Sequence, residues 1–593
     1  NKIIMRFINV YLFIVAMLLI HQAACESVKF SLKKPTILLS IISRNEEHIL
    51  PTFLAYIEQL NYPKNRITIL IQTDHNEDRT FNVLSEWSRN VKSLYHDIYI
   101  LHEAFPITYN DSLTANQWTT SRFLNLLKLR QNALDKARRV WSDYILFVDT
   151  DNFLMNKETL NILIATQQVI VSPMLRSFDA DGLYSNFWGA MDERGYYKRV
   201  PEYFTLLKRE TLGVYYVPMV HSTMLIDMRS NLTDTLMFYP IPLSYSGVID
   251  DILVFAQSAK HSGINLAICN TEVFGFLLNP CAEDWTLEDK KDFFNDVFLN
   301  YATYNEPLER SVNVPHSFPV PSYGIFDEIF VINLIRRQDR FKKMSFLLKE
   351  LGFKFRHFEA VDGRELSAKK VKEMGIFPLE GFKDPYLERP MTLGEIGCFL
   401  SHWRIWNEVI DRSLDMVLVL EDDVRFESGF NKKLHQLLVS ADEIQKNQPW
   451  DFMYLGRKRM SSQMEYYVEG SDKIVWAKYS YWTLGYIIRL SGAKKLIAGD
   501  PLSKMLPVDE YIPIMFDNHP ETEFKLKFNN RNLIAFSAEP LLMHPTHYVG
   551  EMGYVSDTED TLSIKEEDVK HFREKKKFIL QSNIQQDQTR GEL

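Results

Sequence analysis

Apolar runs and helical periodicities alternate along the chain, and that alternation predicts the fold. Residues 36–42, TILLSII, form a buried-strand pattern that ends in the polar SRNEE, and a helical stretch follows over 48–60. A second strand is predicted at 66–71, running into QTDHNEDRT, which places Asp74 and Asp78 at a strand end. A helix over 122–141 leads to YILFVDTDNF, 144–153, another buried strand that delivers Asp149 and Asp151. The pattern then restarts. EIFVINL at 328–334, the basic RRQDR and a helix over 341–351 precede VLVLEDDVRF, 417–426, where an apolar strand runs into three consecutive carboxylates. Strands alternating with helices in this way predict doubly wound, Rossmann-like α/β units, whose ligands gather beyond the carboxyl ends of the strands.

Between the two starts the pattern changes. The acidic helical stretch WTLEDKKDFFNDVF is followed by the proline-punctuated NVPHSFPVPSYG, so 285–325 is predicted as a linker or accessory segment between domains at 34–284 and 326–556. Residues 557–593 are predicted as a charged tail. At the other end, Lys2 and Arg6 precede the apolar run Phe7–Ile20 and the small Ala23 and Ala24, which predicts a signal peptide over 1–25. That run is short of the ~20 residues that span a bilayer, and no later segment is long enough, so no membrane span is expected after cleavage. The closing Arg590-Gly591-Glu592-Leu593 is similar to the tetrapeptide read by the endoplasmic reticulum retention receptor, with Gly591 in place of an aspartate.

Length changes the picture only by asking for more than one core: 593 residues imply two or three domains. A net charge of −9 without a basic stripe excludes nucleic acid as the expected partner. Cys269 and Cys281 are close enough to close a small loop in an oxidising compartment and are the candidate disulfide, with Cys398 left as a buried thiol. Asn110 and Asn231 open glycosylation sequons.

Neighbouring ionised carboxylates repel, so a cluster at the end of a buried strand needs a cation, hydrogen bonds or protons. Hard divalent cations such as Mg²⁺ and Mn²⁺ take oxygen ligands and share them between protein carboxylates and substrate phosphates. That chemistry connects DTD at 149–151 and EDD at 421–423 with a nucleotide carrying phosphates.

FVINLIRRQDR (330–340), FEAVDGREL (358–366), MTLGEIGCFLSHWRIW (391–406), VLVLEDDVRF and PVDEYIPIMF (507–516) resemble the family 25 glycosyltransferases. PTHYVGEMGYVSDTED, 545–560, resembles the animal collagen-modifying branch of that family, the procollagen galactosyltransferases. The resemblance implies two GT-A-like domains in tandem, a place in the endoplasmic reticulum lumen, and inverting transfer of galactose from UDP-galactose to hydroxylysine in collagen with Mn²⁺ as cofactor. A homodimer is allowed. Other readings stay open: a different UDP-sugar or acceptor, or a non-catalytic lumenal or adhesion relative.

With that resemblance, Glu421, Asp422 and Asp423 are the metal and nucleotide cluster of the second domain, and Asp149 and Asp151 are either its counterpart in the first or a polar loop entry. Asp509 and Glu510 are candidates for the base that activates the acceptor, or else helix-capping acids; Asp250 and Asp251 hold the same position in the first domain. His547 either completes a metal shell or is structural. Arg336, Arg337 and Arg340 contact a diphosphate or form a solvated basic face. Ser401 and His402 have no paired acid in the sequence and are read as helix interior.

Overall fold

The computed structural model describes residues 33–563 except 179–181, 193–195, 243–244 and 315–318. The predicted signal peptide and the retention-like RGEL lie outside the described residues. The chain divides into two compact units, Asn1–Glu288 with Glu309–Pro315, and Asp289–Leu308 with His316–Leu593. The segment expected to be a linker is thus shared between the units, because its acidic stretch forms a helix, Leu287–Tyr304, most of which belongs with the second.

In the first unit the main sheet contains β1 (Ile37–Ser43), β2 (Ile67–Asp74), β3 (Asp97–Glu103), β4 (Tyr144–Asp149), β5 (Ile170–Pro173), β6 (Val214–Tyr216), β7 (Thr223–Asp227) and β8 (Leu266–Cys269). Their spatial order is β6-β8-β5-β7-β4-β1-β2-β3. Strands β4, β1, β2 and β3 run parallel, whereas β7 is antiparallel to both β4 and β5, so the sheet is mixed. The second unit repeats the plan with β9 (Glu328–Asn333), β10 (Arg356–Glu359), β11 (Met416–Glu421), β12 (Phe452–Arg459), β13 (Ile474–Trp476), β14 (Ser480–Arg489) and β15 (Ala535–Ala538), ordered β10-β9-β11-β14-β12-β15-β13. Here β11 is parallel to β9 and antiparallel to β14. The two doubly wound units expected from the sequence are both present.

The apolar run before the EDD cluster is explained by burial on two faces. Val417 and Val419 pack into one core with Trp406 and Tyr486, while Leu418 and Leu420 pack into the other with Phe430 and Trp450. Side chains alternate across a strand, so a strand covered on both faces is apolar at every position. Burying each such side chain contributes roughly 1.5–3 kcal/mol, which fixes where β11 ends and the carboxylates begin.

Both units also turn the chain in the same way after the acidic strand. Asn152–Leu154 pairs antiparallel with Gly275–Leu277, and Val424–Phe426 pairs antiparallel with Met543–Pro545. Residues 557–563, expected to begin a tail, instead pack on the second unit: Thr558 O accepts from Thr392 Oγ1 at 2.7 Å, and Leu393 N donates to Leu562 O at 2.9 Å. No described helix is long and apolar enough to cross a membrane. The Cys269–Cys281 disulfide is not formed: Cys269 is a free, buried thiol on β8 with its Sγ 3.3 Å from Thr271 Oγ1. Asn110 and Asn231 are both exposed.

Candidate functional site

Strand β11 stops at Glu421, and the turn that follows gathers the three carboxylates. Glu421 Oε1 accepts from Thr483 Oγ1 on the adjacent β14 and lies 3.4 Å from His402 Nε2. A buried row of donors stands behind that histidine: Trp406 Nε1 donates to Tyr486 OH at 3.1 Å, and Tyr486 OH is 2.9 Å from His402 Nδ1. Burial alone would raise the Glu421 carboxyl, but the hydrogen bonds from His402 and Thr483 outweigh it and hold it below the ordinary value. His402 therefore has the paired acid that the sequence did not reveal. Its neighbour one turn earlier, Cys398, brings a sulfur into the same group, with one ligand atom each of Cys398, His402 and Glu421 within 4.8 Å of one another.

Asp422 accepts from Asn333 Nδ2 and faces Arg340 at 3.3 Å; Asp423 Oδ2 is 3.1 Å from the same guanidinium. Burial, and then the charge of Glu421, push Asp423 up to about 7. Its Oδ1 is buried with no hydrogen-bond partner among the described residues. A buried carboxylate oxygen without a donor, beside two further carboxylates and one arginine, fits a hard divalent cation. Cys398 suits such an ion less well, since burial and the nearby Glu421 and Asp509 raise its thiol well above the usual value and keep it protonated.

The arginines of RRQDR converge on one acid. Arg336 reaches Asp557 at 2.8 Å, Arg337 at 2.7 Å and Arg340 at 3.7 Å, and Arg340 also donates to Val555 O at 3.0 Å. Three guanidinium groups around one carboxylate form an anion-binding focus, held in this structure by the protein's own Asp557. His547 follows Thr546, whose backbone N–H donates to Asp423 O at 2.8 Å. Its ring packs edge-on against Tyr304 at 5.8 Å and against Gly553, and it belongs to no group of close ligand atoms among the described residues.

Asp509 and Glu510 open the helix Val508–Met515, and the structure separates their roles. Glu510 is 3% exposed and accepts from Tyr479 OH at 2.8 Å, Tyr481 OH at 2.6 Å and His519 Nε2 at 2.7 Å. Of the two candidates for the base, Glu510 is the one already engaged by three donors. Asp509 has no ion pair among the described residues and takes a hydrogen bond from the Trp482 backbone N–H. Burial and the adjacent Glu510 push it up to about 8.

A carboxyl whose folded value lies above its unfolded one contributes stability that is complete below the ordinary value of 3.8 and is lost as pH rises through about 8. Asp509→Asn is therefore expected to gain stability over the wild type as pH rises from 5 to 9, by roughly 4 kcal/mol in denaturant melts. For the wild type, kcat/KM is expected to climb with pH and level off near 8. A flat profile from pH 6 to 8 contradicts Asp509 as the group that takes a proton.

In the first unit the corresponding acids are locked. Arg130, on the helix Thr120–Arg139 and 2% exposed, reaches Asp149 at 3.0 Å and Asp251 at 3.1 Å. Burial raises both carboxyls against the pull of Arg130, Asp251 to about 6. Asp250 caps its helix, accepting from Ile252 N at 2.9 Å and Leu253 N at 3.1 Å, and Tyr197 OH donates to its other oxygen. The capping alternative holds for Asp250. Asp151 follows Asp149 in the turn, as the sequence placed it. Asp74 and Asp78 are also tied to the loops around them, Asp74 by Tyr109 OH and Asn125 Nδ2 at 2.8 Å each, Asp78 by the Glu47 and Thr80 backbone.

Comparison with known proteins bears on this arrangement. The family description "Glycosyltransferase family 25, N-terminal domain" matches residues 34–297, and "Glycosyltransferase family 25 (LPS biosynthesis protein)" matches 326–512. Procollagen galactosyltransferase 2 of Homo sapiens is 47% identical over 529 residues, 89% of this chain and 84% of that protein. Procollagen galactosyltransferase 1-B of Xenopus laevis is 46% identical over 531 residues, 89% of this chain and 86% of the other. A Bos taurus protein named "Probable inactive glycosyltransferase 25 family member 3" is 44% identical over 527 residues, 88% and 87%.

Proposed function

The chain belongs to glycosyltransferase family 25, and on that premise we propose that it transfers galactose from UDP-galactose to hydroxylysine in collagen chains, with the second unit doing the chemistry. The observation that carries the division of labour is the contrast between the two helix acids. Asp251 is bound to a buried arginine, whereas Asp509 has no ion pair among the described residues and a proton affinity near neutrality. A group of that kind is suited to general base work.

In the reaction the acceptor hydroxyl oxygen attacks the anomeric carbon as the bond from that carbon to the diphosphate oxygen breaks. The hydroxyl proton passes to an Asp509 carboxylate oxygen, and a single displacement turns the α-linked donor into a β-linked product. Arg340 lies beside the cluster and faces the charge that grows on the leaving UDP, with Arg336 and Arg337 completing the anion focus once Asp557 gives way. Glu421 and Asp423 would hold Mn²⁺, which supplies charge stabilisation to the departing diphosphate. His402 and Thr483 keep Glu421 ionised and oriented for that task.

The first unit supports the acceptor or binds nucleotide without turnover, its Asp149 and Asp251 being engaged by Arg130. The endoplasmic reticulum lumen is the expected location, in keeping with the exposed sequons at Asn110 and Asn231. A non-catalytic role, as the name of the Bos taurus relative indicates for that protein, is disfavoured by the intact Glu421–Asp423 cluster. Product analysis with UDP-galactose, UDP-glucose and a hydroxylysine-containing collagen peptide tests the reading. Galactosylated hydroxylysine is the expected product; glucose transfer, or donor consumption without peptide product, contradicts it.

A further inference from the structure

Beside the acidic cluster the second unit has a cavity of about 340 Å³, whose walls include Lys458, Trp482, Met543, Pro545, Tyr548 and Val549. Two of these walls are continuous with the candidate reaction centre. Met543–Pro545 pairs with Val424–Phe426, the strand leaving the cluster, and Thr546 N donates to Asp423 O at 2.8 Å. Trp482, in the left-handed region at φ 67°, gives its backbone N–H to the Asp509 carboxylate. A molecule in the cavity therefore has residues joined to the metal-binding candidates on one side and to the base candidate on the other.

The lining says what kind of molecule that is. The Trp482 and Tyr548 rings stand 6.0 Å apart at 52°, and Met543, Pro545 and Val549 add apolar surface. Among the described residues no carboxylate lines the cavity. Among its basic side chains Arg457 is taken by Glu465 at 2.8 Å and His544 by Glu427 at 3.1 Å. That leaves Lys458, 5.3 Å over the Trp482 ring, as the cation without an ion pair among the described residues. Tilted aromatic faces with one flexible donor suit an extended, proline-rich polypeptide: its pyrrolidine rings stack on the aromatics, and its backbone carbonyls, which have no internal hydrogen bonds, need a donor. A diphosphate would call for several unpaired cations.

We propose that this cavity is the acceptor-chain subsite, taking the imino-acid-rich residues that flank the hydroxylated side chain and so directing its hydroxyl toward Asp509. The proposal rests on the galactosyltransferase reading above. Tyr548 and Val549 are 39% and 68% exposed, so changing them leaves the fold intact, which thermal melts verify. The test uses the full chain, UDP-galactose, and two acceptor peptides that each contain one hydroxylysine, one rich in proline and one without it. Tyr548→Ala and Val549→Asp are each expected to raise KM for the proline-rich peptide about tenfold, with kcat falling less than threefold. With the proline-free peptide the KM change is expected to stay within about twofold. A rise in KM for UDP-galactose in place of the acceptor would assign the cavity to the nucleotide and overturn the proposal, as would an acceptor KM that does not move. Wild-type protein that transfers to neither peptide overturns the function reading, and the subsite with it.

Discussion

Asp423→Ala is expected to lower kcat by about a thousandfold without loss of the fold. The carboxylate lies just beyond a strand buried on both faces; its Oδ1 has no hydrogen-bond partner among the described residues, and Arg340, the donor to its Oδ2, keeps Asp422 at 3.3 Å, so truncation leaves no donor without an acceptor. Removing it also relieves the burial of a carboxyl and its repulsion from Glu421 and Asp422, which together push it up to about 7. The melting temperature is expected to stay level or rise slightly. The loss falls on kcat because a ligand that counters charge on the leaving diphosphate acts chiefly in the transition state, where one lost contact costs roughly 10²–10³ in rate. Steady-state kinetics and a thermal melt on one preparation suffice; a folded variant keeping a tenth of wild-type kcat contradicts the assignment.

Chelation is expected to remove activity by about a hundredfold or more, with recovery on adding back Mn²⁺. Three carboxylates face one guanidinium, that of Arg340, at 3.1 and 3.3 Å from two of them. A bound diphosphate adds further negative charge, and one arginine cannot balance that sum away from water. Oxygen ligands select hard cations, so Mn²⁺ and Mg²⁺ are expected to restore turnover better than a thiophilic ion. Turnover that survives exhaustive chelation within a few-fold would show that the arginines alone hold the leaving group.

The strands were legible because their burial on both faces left no polar position, as at 417–420 and 144–148. The carboxylates were legible for the same reason, since an unbroken apolar run marks where the chain leaves the core. Separating Asp509 from Glu510 was not, because consecutive helix residues point about 100° apart and only the fold says which faces the Tyr479, Tyr481 and His519 donors. His402 could have been suspected from its four-residue spacing to Cys398 on one helix face, yet its acid comes from a strand of distant sequence. Arg130 gave no signal, since a basic residue on a helix normally faces water. The role of Asp557 was hidden by charge: in a run of acids and polar residues it resembled a solvated tail, and only the three arginines meeting it show otherwise. Cys269 and Cys281 lay close in sequence, but β8 turns the first thiol into the core.

The division of labour between the units is decided by kinetics on Asp423→Ala and Asp151→Ala, compared as folded proteins with UDP-galactose and a hydroxylysine-containing collagen peptide. Asp423→Ala is expected to be inactive at the thousandfold level while Asp151→Ala keeps at least a tenth of wild-type kcat. An inactive Asp151→Ala beside an Asp423→Ala that turns over at near wild-type rate would move the galactosyltransferase site to the first unit.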